Sequence, residues 1–215
     1  MNDLLKKILK TIINKISNEF FSNPVLNRKL DDIKIQNGEL FSFFLKSHLT
    51  KIKSLDDISF KIFSQNNEDG ILEYLINSLK LHRIKFVEIG TQDYSESNTR
   101  YIYEKFGCDG LIIDNTKNLK KKISELLNIW KGNLIIEENI VEKDNIISLL
   151  KKNSFNDELD IFSIDIDGVD YWIIKELPPQ ISKIFVAEYN PYFGPDLEIT
   201  VPYKKDLIGL NIINQ

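Results

Sequence analysis

The chain has 215 residues, of which 42% are hydrophobic, and its formal net charge is −4 at pH 7. That is enough apolar material for one sizeable globular core, while the acidic balance argues against nucleic-acid binding, which needs a basic surface. No apolar run reaches the length of a membrane span, and the N-terminus lacks the continuous apolar stretch of a signal peptide, so we expect a cytoplasmic protein. The single cysteine, Cys108, excludes an internal disulfide.

Residues 1–63 are predicted to form an accessory helical region with a positive charge balance. Apolar side chains between residues 4 and 21 recur every three or four positions, which is typical of an amphipathic helix, and Asn23 with Pro24 is expected to end it. A second, less regular segment follows at residues 40–45. The basic helix could contact a membrane surface, bind a partner, or pack on the core and self-associate; we favour packing or self-association.

From residue 64 to residue 215 the sequence predicts one Rossmann-like α/β domain. Apolar runs at residues 86–89, 111–114, 134–136, 161–165 and 184–189 predict strands, and periodic patterns at residues 69–79, 96–106, 119–130, 145–151 and 171–177 predict helices. Continuous apolar strands separated by helices indicate a parallel sheet with helices on both faces. Right-handed crossovers then bring the carboxyl ends of the strands to one edge, where ligands of such sheets bind.

The run from residue 85 to residue 98 (KFVEIGTQDYSESN) predicts a strand, a tight turn and the start of a helix. Glu88 lies at the end of the strand, Gly90 allows the backbone to approach a ligand, and the polar residues from Ser95 cap a helix whose free N–H groups can hold an anionic group. The full dinucleotide fingerprint has two further glycines, which Gln92 and Ser95 replace here. This pattern is therefore compatible with a nucleotide-like cofactor and also with an ordinary packing junction.

The next predicted strand, at residues 110–114 (GLIID), also ends in a carboxylate at the same edge of the sheet. Asp114 follows Glu88 by 26 positions, close to the offset of roughly 20 residues at which an acid binds ribose hydroxyls. A carboxylate suits that task because both oxygens accept hydrogen bonds from a vicinal diol. The alternative is that Asp114 only caps a helical turn that starts at Asn115.

Further acids follow the fourth and fifth predicted strands. Asp165, Asp167 and Asp170 come after the fourth strand, and Glu188 and Asn190 come after the fifth. Burying several carboxylates costs free energy unless a cation or hydrogen-bond donors compensate. All of these side chains except Asp170 could converge on Mg²⁺, which prefers oxygen ligands. The alternative is that the acids cap the helix from Asp170 and bind substrate hydroxyls.

Five motifs spread over residues 63–203 are specific when they are taken together. They are SQNNEDG at residues 64–70, FVEIG at 86–90 with SNT at 97–99, GLIID at 110–114, SIDIDGVDYW at 163–172, and EYN at 188–190 leading to Gly194 and Pro195. In these motifs the chain resembles the FkbM-like S-adenosylmethionine-dependent methyltransferases of bacterial glycan and natural-product pathways. The resemblance implies a class I methyltransferase fold, with Glu88 and Gly90 near the methionine part of the cofactor, Asp114 on its ribose, and Asn98 as a further cofactor-binding residue.

The activity that this resemblance implies is methyl transfer to a sugar hydroxyl of a bacterial surface glycan or its precursor. Such a transfer is an in-line displacement, so catalysis is largely positioning, but the acceptor must lose a proton. Asp165 or Asp167 could accept that proton as a general base, or Mg²⁺ held by both together with Glu188 and Asn190 could lower the pKa of the hydroxyl. Glu188 and Asn190 are also the predicted contacts to the acceptor.

The C-terminal part departs from this fold, which normally adds an antiparallel pair of strands after the fifth strand. Only twelve residues follow Tyr203, too few for a helix and two strands, so we expect the fifth strand to form an open edge. A homodimer could form through that edge or through the N-terminal helix. The alternative function is a truncated, non-catalytic methyltransferase-like domain that binds or scaffolds a partner, and the missing glycines disfavour a nicotinamide-dependent oxidoreductase.

Overall fold

The structure, a computed structural model, describes residues 23–47, 52–127, 131–166, 168–189, 194 and 199–203, together with residues 7, 10–12 and 15. The strands are β1 (Lys85–Ile89), β2 (Asp109–Asp114), β3 (Leu134–Glu138), β4 (Leu159–Ile164) and β5 (Ser182–Ala187). The helices are α1 (Pro24–Ser47), α2 (Glu68–Ser78), α3 (Arg100–Phe106), α4 (Leu119–Leu126), α5 (Ile146–Lys152) and α6 (Asp170–Ile174), with a 3-10 turn at Leu55–Asp57. Within these residues, no helix combines the length and the apolar character needed to cross a membrane.

The five strands form one parallel sheet in the order β3-β2-β1-β4-β5. β1 lies at the centre, where Phe86 is opposite Gly110 of β2 on one side and opposite Ile161 of β4 on the other. The prediction of a Rossmann-like parallel sheet is therefore confirmed. The strand order reverses between β1 and β4, and the carboxyl ends of strands flank a crevice at such a reversal.

Both faces of the three central strands, β2, β1 and β4, are buried, which explains why these strands are largely apolar. Successive side chains of a strand point to opposite faces, so Phe86 packs in a cluster with residues of α1 to α4, whereas Val87 packs in a cluster with residues of α5 and α6. Both side chains are fully buried, and burying one such side chain contributes roughly 1.5–3 kcal/mol. Two apolar layers thus hold the strand ends that form the crevice.

Several predicted boundaries differ from the observed ones, including two near the crevice. The helix predicted at residues 96–106 begins only at Arg100, because residues 97–99 bond to Glu88 instead of forming a helical turn. β5 ends at Ala187, two residues before the predicted end of that strand. The helix predicted at residues 119–130 ends at Leu126 as α4, and residues 128–130 lie outside the described residues.

α1 is one continuous helix of 24 residues, which lies in the predicted accessory helical region and includes residues 40–45, where the sequence pattern is less regular. Pro24 begins this helix, and the side-chain oxygen of Asn23 accepts hydrogen bonds from the N–H groups of Val25 and Leu26. Proline suits the first helical turn because its missing N–H group has no partner there in any case. Most of the helix predicted at residues 4–21 lies outside the described residues, although residues 7, 10–12 and 15 are helical.

A narrow face of α1 packs against α2 and α3. At Gly38 an added Cβ would lie only 2.8 Å from the hydroxyl of Tyr101, so glycine permits this close contact. Arg100 of α3 donates one hydrogen bond to Asp31 of α1 (2.6 Å) and another to the carbonyl of Ser95 (2.9 Å). One buried cation therefore joins α1 to the loop that leads from β1 to α3.

Candidate functional site

Two adjoining cavities lie at the carboxyl ends of the strands, where the strand order reverses. The first, which we call the Thr91 cavity, has a volume of about 620 Å³ and is formed by the loops after β1, β4 and β5 with residues 65, 66 and 68. The second, which we call the Asp114 cavity, has a volume of about 430 Å³ and is formed by the loops after β1, β2, β3 and β4. Five residues line both cavities: Gln65, Gly90, Gln92, Asp165 and Glu188. The two cavities therefore form one crevice.

Gly90 joins the three central strands at the floor of this crevice. Its φ is +82°, and an added Cβ would lie 1.8 Å from the carbonyl oxygen of Asp165, so no other residue fits without a shift of the backbone. Its N–H group donates to the carbonyl of Ile113 (3.1 Å), and the N–H group of Asp165 donates to the carbonyl of Ile89 (3.0 Å). The tight turn predicted at Gly90 is present, and its close backbone approach is to Asp165.

Glu88 organises the loop that follows β1. Its carboxylate accepts hydrogen bonds from the N–H groups of Asn98 (2.9 Å) and Thr99 (3.0 Å) and from the hydroxyls of Ser97 (2.7 Å) and Thr99. These N–H groups were expected to be free for an anionic ligand, so that expectation is wrong. Burial raises the pKa of Glu88 above its ordinary value, although the four hydrogen bonds act in the opposite direction.

Asn98 lies in the wall of the Thr91 cavity and connects two strands of the sheet. Its side-chain amide donates to the hydroxyl of Ser163 on β4 (3.1 Å), while its backbone N–H group binds Glu88 on β1. The loop that carries the candidate cofactor residues is thus fixed from both sides of the strand-order reversal.

Asp114 closes the other end of the crevice and is 9% exposed. One carboxylate oxygen accepts from the N–H group of Gln92 across the crevice (2.8 Å), and the other accepts from the N–H group of Thr116 in its own turn (2.7 Å). Asp114 therefore holds the turn after β2, but no helical turn starts at Asn115, because the next helix begins only at Leu119. Each oxygen still has a second lone pair, so this role leaves acceptor capacity for a ligand.

The aspartates after β4 have different surroundings. Asp165 is partly buried and lines both cavities. Asp170 accepts hydrogen bonds from the N–H groups of Ile166 (2.8 Å) and Gly168 (3.1 Å), so it closes the turn before α6. The expectation that the acids cap this helix is wrong for Asp170, because the N-cap residue is Val169 and no side-chain hydrogen bond caps α6. Asp167 lies outside the described residues.

The predicted metal site is described only in part. Glu188 is exposed and lines both cavities with Asp165, whereas Asp167 and Asn190 lie outside the described residues. In the part of the chain that the structure describes, no group of three or more histidine, cysteine, aspartate or glutamate side chains could hold a metal ion. The Mg²⁺ site remains a prediction.

Charge in the Thr91 cavity has one sign. Six carboxylate side chains line it, namely Glu68, Glu88, Asp93, Glu96, Asp165 and Glu188, and the described lining residues include no lysine, arginine or histidine. Lys61 binds Glu96 at 2.9 Å on the outer surface, where about half of each side chain is exposed. A wall of this kind attracts cations and repels anions.

Two residues of the crevice, Gln65 and Thr91, were not among the predicted site residues. Gln65 lines both cavities because Asp69 holds the preceding backbone, accepting from the N–H groups of residues 62, 63 and 64 at 2.6, 2.7 and 2.9 Å. Thr91 is 3% exposed, and its hydroxyl has no hydrogen-bond partner among the described residues. The motif at residues 64–70 contains Gln65 and Asp69, but nothing in the sequence distinguishes Thr91.

Comparison of the chain with protein-family models, with curated proteins and with solved structures finds no match. The motifs, the fold and the geometry of the crevice are therefore the grounds on which a function is assigned.

Proposed function

We propose that the protein is an S-adenosylmethionine-dependent O-methyltransferase, similar to the FkbM-like enzymes, that acts on a sugar hydroxyl of a bacterial surface glycan or its precursor. The observation that carries the proposal is the crevice at the strand-order reversal, with Asp114 at one end and Asp165 in the wall of both cavities. Volumes of about 620 and 430 Å³ fall within the range of roughly 300–1,000 Å³ that is usual for small-molecule sites.

The residues present fit such a cofactor. Asp114 would accept hydrogen bonds from the ribose hydroxyls with its remaining lone pairs, and the apolar side chains of Ile140 and Val141 in the same cavity would contact the adenine. The methionine part would extend past Gly90 toward Asn98, into the Thr91 cavity.

The charge of the crevice favours this cofactor over its competitors. A sulfonium cation is attracted by the carboxylates of the wall, and the neutral thioether product is attracted less, which assists product release. The two phosphates of a nicotinamide dinucleotide would be repelled, and the loop after β1 offers no free N–H groups at Asn98 and Thr99 to hold them.

The bound cofactor supplies an electrophilic methyl group. Asp165 would act as the general base and accept the proton that the acceptor hydroxyl loses, because it is the aspartate that lines both cavities. Glu188 lines both cavities as well and would orient the acceptor by accepting hydrogen bonds from its hydroxyls. Asp167 and Asn190 would assist in the roles predicted from the sequence.

A role for Mg²⁺ depends on side chains outside the described residues. Asp165 and Glu188 are the two described members of the predicted ligand set, and two carboxylates do not by themselves define a site, so the reaction is assigned to Asp165 as a base without a metal. We expect full methyl transfer in the presence of a chelator. Loss of methyl transfer that added Mg²⁺ restores would show that the reaction requires the metal.

A second candidate function is a non-catalytic domain that binds a partner chain. Within the described residues β5 pairs only with β4, and Phe185 on β5 is 42% exposed. An edge of this kind is a template for another strand, from a second copy of the chain or from another protein.

Calorimetric titration distinguishes the two functions. We expect S-adenosylmethionine and S-adenosylhomocysteine to bind and to raise the melting temperature of the protein, while NAD does neither. Absence of heat and of stabilisation with both adenosyl compounds, in well-folded protein, would favour the non-catalytic domain.

Substitution of the proposed base tests the mechanism. Asp165→Asn should keep cofactor affinity but lower transfer of a labelled methyl group to a bacterial glycan extract by roughly 10²–10⁴-fold. Glu96→Gln is the matched control, because this carboxylate lies in the same cavity but is exposed and paired with Lys61. Equal activity of the two variants would remove Asp165 from the mechanism.

A further inference from the structure

Two buried threonines in the loop after β1 differ in how their hydroxyls are bound. The hydroxyl of Thr99 bonds to the carboxylate of Glu88 and to the hydroxyl of Tyr94 (2.8 Å). The hydroxyl of Thr91 has no partner among the described residues, although its side chain is 3% exposed and belongs to the wall of the Thr91 cavity. Buried polar groups in native proteins nearly always have a partner, and at a cavity wall that partner can be a ligand.

The surroundings of Thr91 restrict the chemistry of such a ligand. Glu88 already accepts hydrogen bonds from residues 97–99. The other five carboxylates of the cavity accept hydrogen bonds when they are ionised, so they match hydroxyl and ammonium donors. Two described cations interact with these carboxylates, Lys61 with Glu96 and Lys122 with Asp93, and neither lysine lines the cavity. A phosphate at this place would add negative charge that no described lining residue neutralises.

We propose that Thr91 contacts the methyl acceptor and that the Thr91 cavity takes a free sugar or an amino sugar in preference to a sugar phosphate. This inference rests on the proposed function, because it places the adenosine part of the cofactor in the Asp114 cavity and the methionine part beside Gly90 and Asn98, and leaves the rest of the Thr91 cavity for the acceptor. Thr91 is a specificity residue in this assignment: its hydroxyl binds a hydroxyl of the sugar, and the carboxylates around it exclude the phosphorylated form.

Saturation-transfer NMR with the full chain and bound S-adenosylhomocysteine tests the proposal at millimolar probe concentration. The probes are two matched pairs, galactose with galactose 1-phosphate and glucosamine with glucosamine 6-phosphate. We expect saturation transfer to galactose or glucosamine, and at least about tenfold less saturation transfer to the phosphorylated partner. In the Thr91→Val variant, saturation transfer to the unphosphorylated sugar should fall about tenfold.

The melting temperature without ligand separates binding from folding. Thr91→Val keeps the shape of the side chain and removes a hydroxyl without a partner, so it should leave the melting temperature unchanged or raise it. Thr99→Val makes the same substitution at a hydroxyl that is bonded to Glu88, so it should lower the melting temperature. The opposite order of the two variants would show that the Thr91 hydroxyl serves the fold.

Failure of this inference differs from failure of the proposed function. Three outcomes would overturn the assignment of the Thr91 cavity if S-adenosylhomocysteine binds. They are equal saturation transfer to the phosphorylated probes, saturation transfer to none of the probes, and unchanged saturation transfer in Thr91→Val. Absence of cofactor binding in the unsubstituted protein would instead refute the methyltransferase.

Discussion

The protein buries charge in two regions and compensates that charge differently in each. Between α1, α2 and α3 the buried acids face basic side chains: Asp31 bonds to Arg100 at 2.6 Å, and Glu73 bonds to Lys105 at 2.5 Å. In the crevice, the hydrogen bonds to Glu88 come from N–H and hydroxyl groups, and those to Asp114 come from N–H groups.

This difference separates a structural region from the proposed binding region. An acid paired with a buried cation is neutralised within the fold, and removing either partner leaves an uncompensated charge. Acids compensated only by dipoles keep their negative potential, which a cationic ligand can use. The helix α1 is therefore held as part of the scaffold, whereas the crevice keeps a charge suited to a sulfonium cofactor.

The largest expected effect is at the cation that joins the two regions. Arg100→Met removes the hydrogen bonds to Asp31 and Ser95 and the stacking of the guanidinium 3.7 Å from the centre of the Phe63 ring. We expect the free energy of unfolding to fall by about 3–5 kcal/mol in urea titration. Lys61→Met, which breaks the exposed pair with Glu96, should cost about 0–1 kcal/mol. Similar losses of unfolding free energy in the two variants would show that burial does not increase the contribution of the Arg100–Asp31 pair to stability.

Glu88→Gln should have the next largest effect. The amide has one acceptor oxygen in place of two and would direct an NH₂ group at bound donors from residues 97–99. We expect a loss of about 2–3 kcal/mol in unfolding free energy. Glu188→Gln is the control, and because this side chain is exposed, it should change stability by about 0.5 kcal/mol or less. A stable Glu88→Gln variant would contradict the structural role of Glu88.

Asp114→Asn and Asp170→Asn form a matched pair, because these aspartates follow β2 and β4, the two strands that flank β1. Both aspartates accept two backbone N–H groups, but only Asp114 lines the crevice. Both variants should lose about 1 kcal/mol of stability, and only Asp114→Asn should also lose about tenfold in S-adenosylmethionine affinity measured by calorimetry. Equal affinities in the two variants would place the ribose elsewhere.

The smallest expected effect is the contribution of Glu104 on α3 to the pH dependence of the unfolding free energy. Burial raises the pKa of Glu104 above its ordinary value, against the weaker opposing effects of Arg100 and Lys131. A raised carboxyl pKa adds stability that is complete below the ordinary value near about 4.3 and is lost as the pH rises through the raised value. The unfolding free energy of the unsubstituted protein relative to Glu104→Gln should therefore fall as the pH rises above the ordinary pKa of about 4.3. If the difference in unfolding free energy instead rises with pH, the pKa of Glu104 is lowered in the folded protein and the prediction is wrong.

Most of the fold could be predicted because a strand that is covered on both faces can be recognised from its own short stretch of sequence. All six residues of β4 are buried, and a continuous apolar run between helices is typical of a parallel strand covered on both faces. α1 was harder to predict because its apolar residues do not lie on one face. Ile33 and Phe43 are 54% and 69% exposed, on the side away from the core, so the expected periodicity is obscured.

The site could be predicted only as far as topology determines it. Parallel strands bring Glu88, Asp114 and Asp165 to the same sheet edge, and the structure places them along one crevice. The partners of Glu88 depend on the path of residues 97–99, and the orphan hydroxyl of Thr91 depends on which groups fail to reach it. The spacing of residues along the sequence predicts neither the hydrogen-bond partners of Glu88 nor the missing partner of the Thr91 hydroxyl.

Amide hydrogen exchange with and without S-adenosylmethionine tests the central claim most directly, because it compares the two regions in one experiment. The account predicts slower exchange on cofactor addition at residues 89–98, 113–116 and 139–141, which line the crevice, with little change at residues 35–45 of α1. No protection in the crevice, or protection confined to α1, would contradict it.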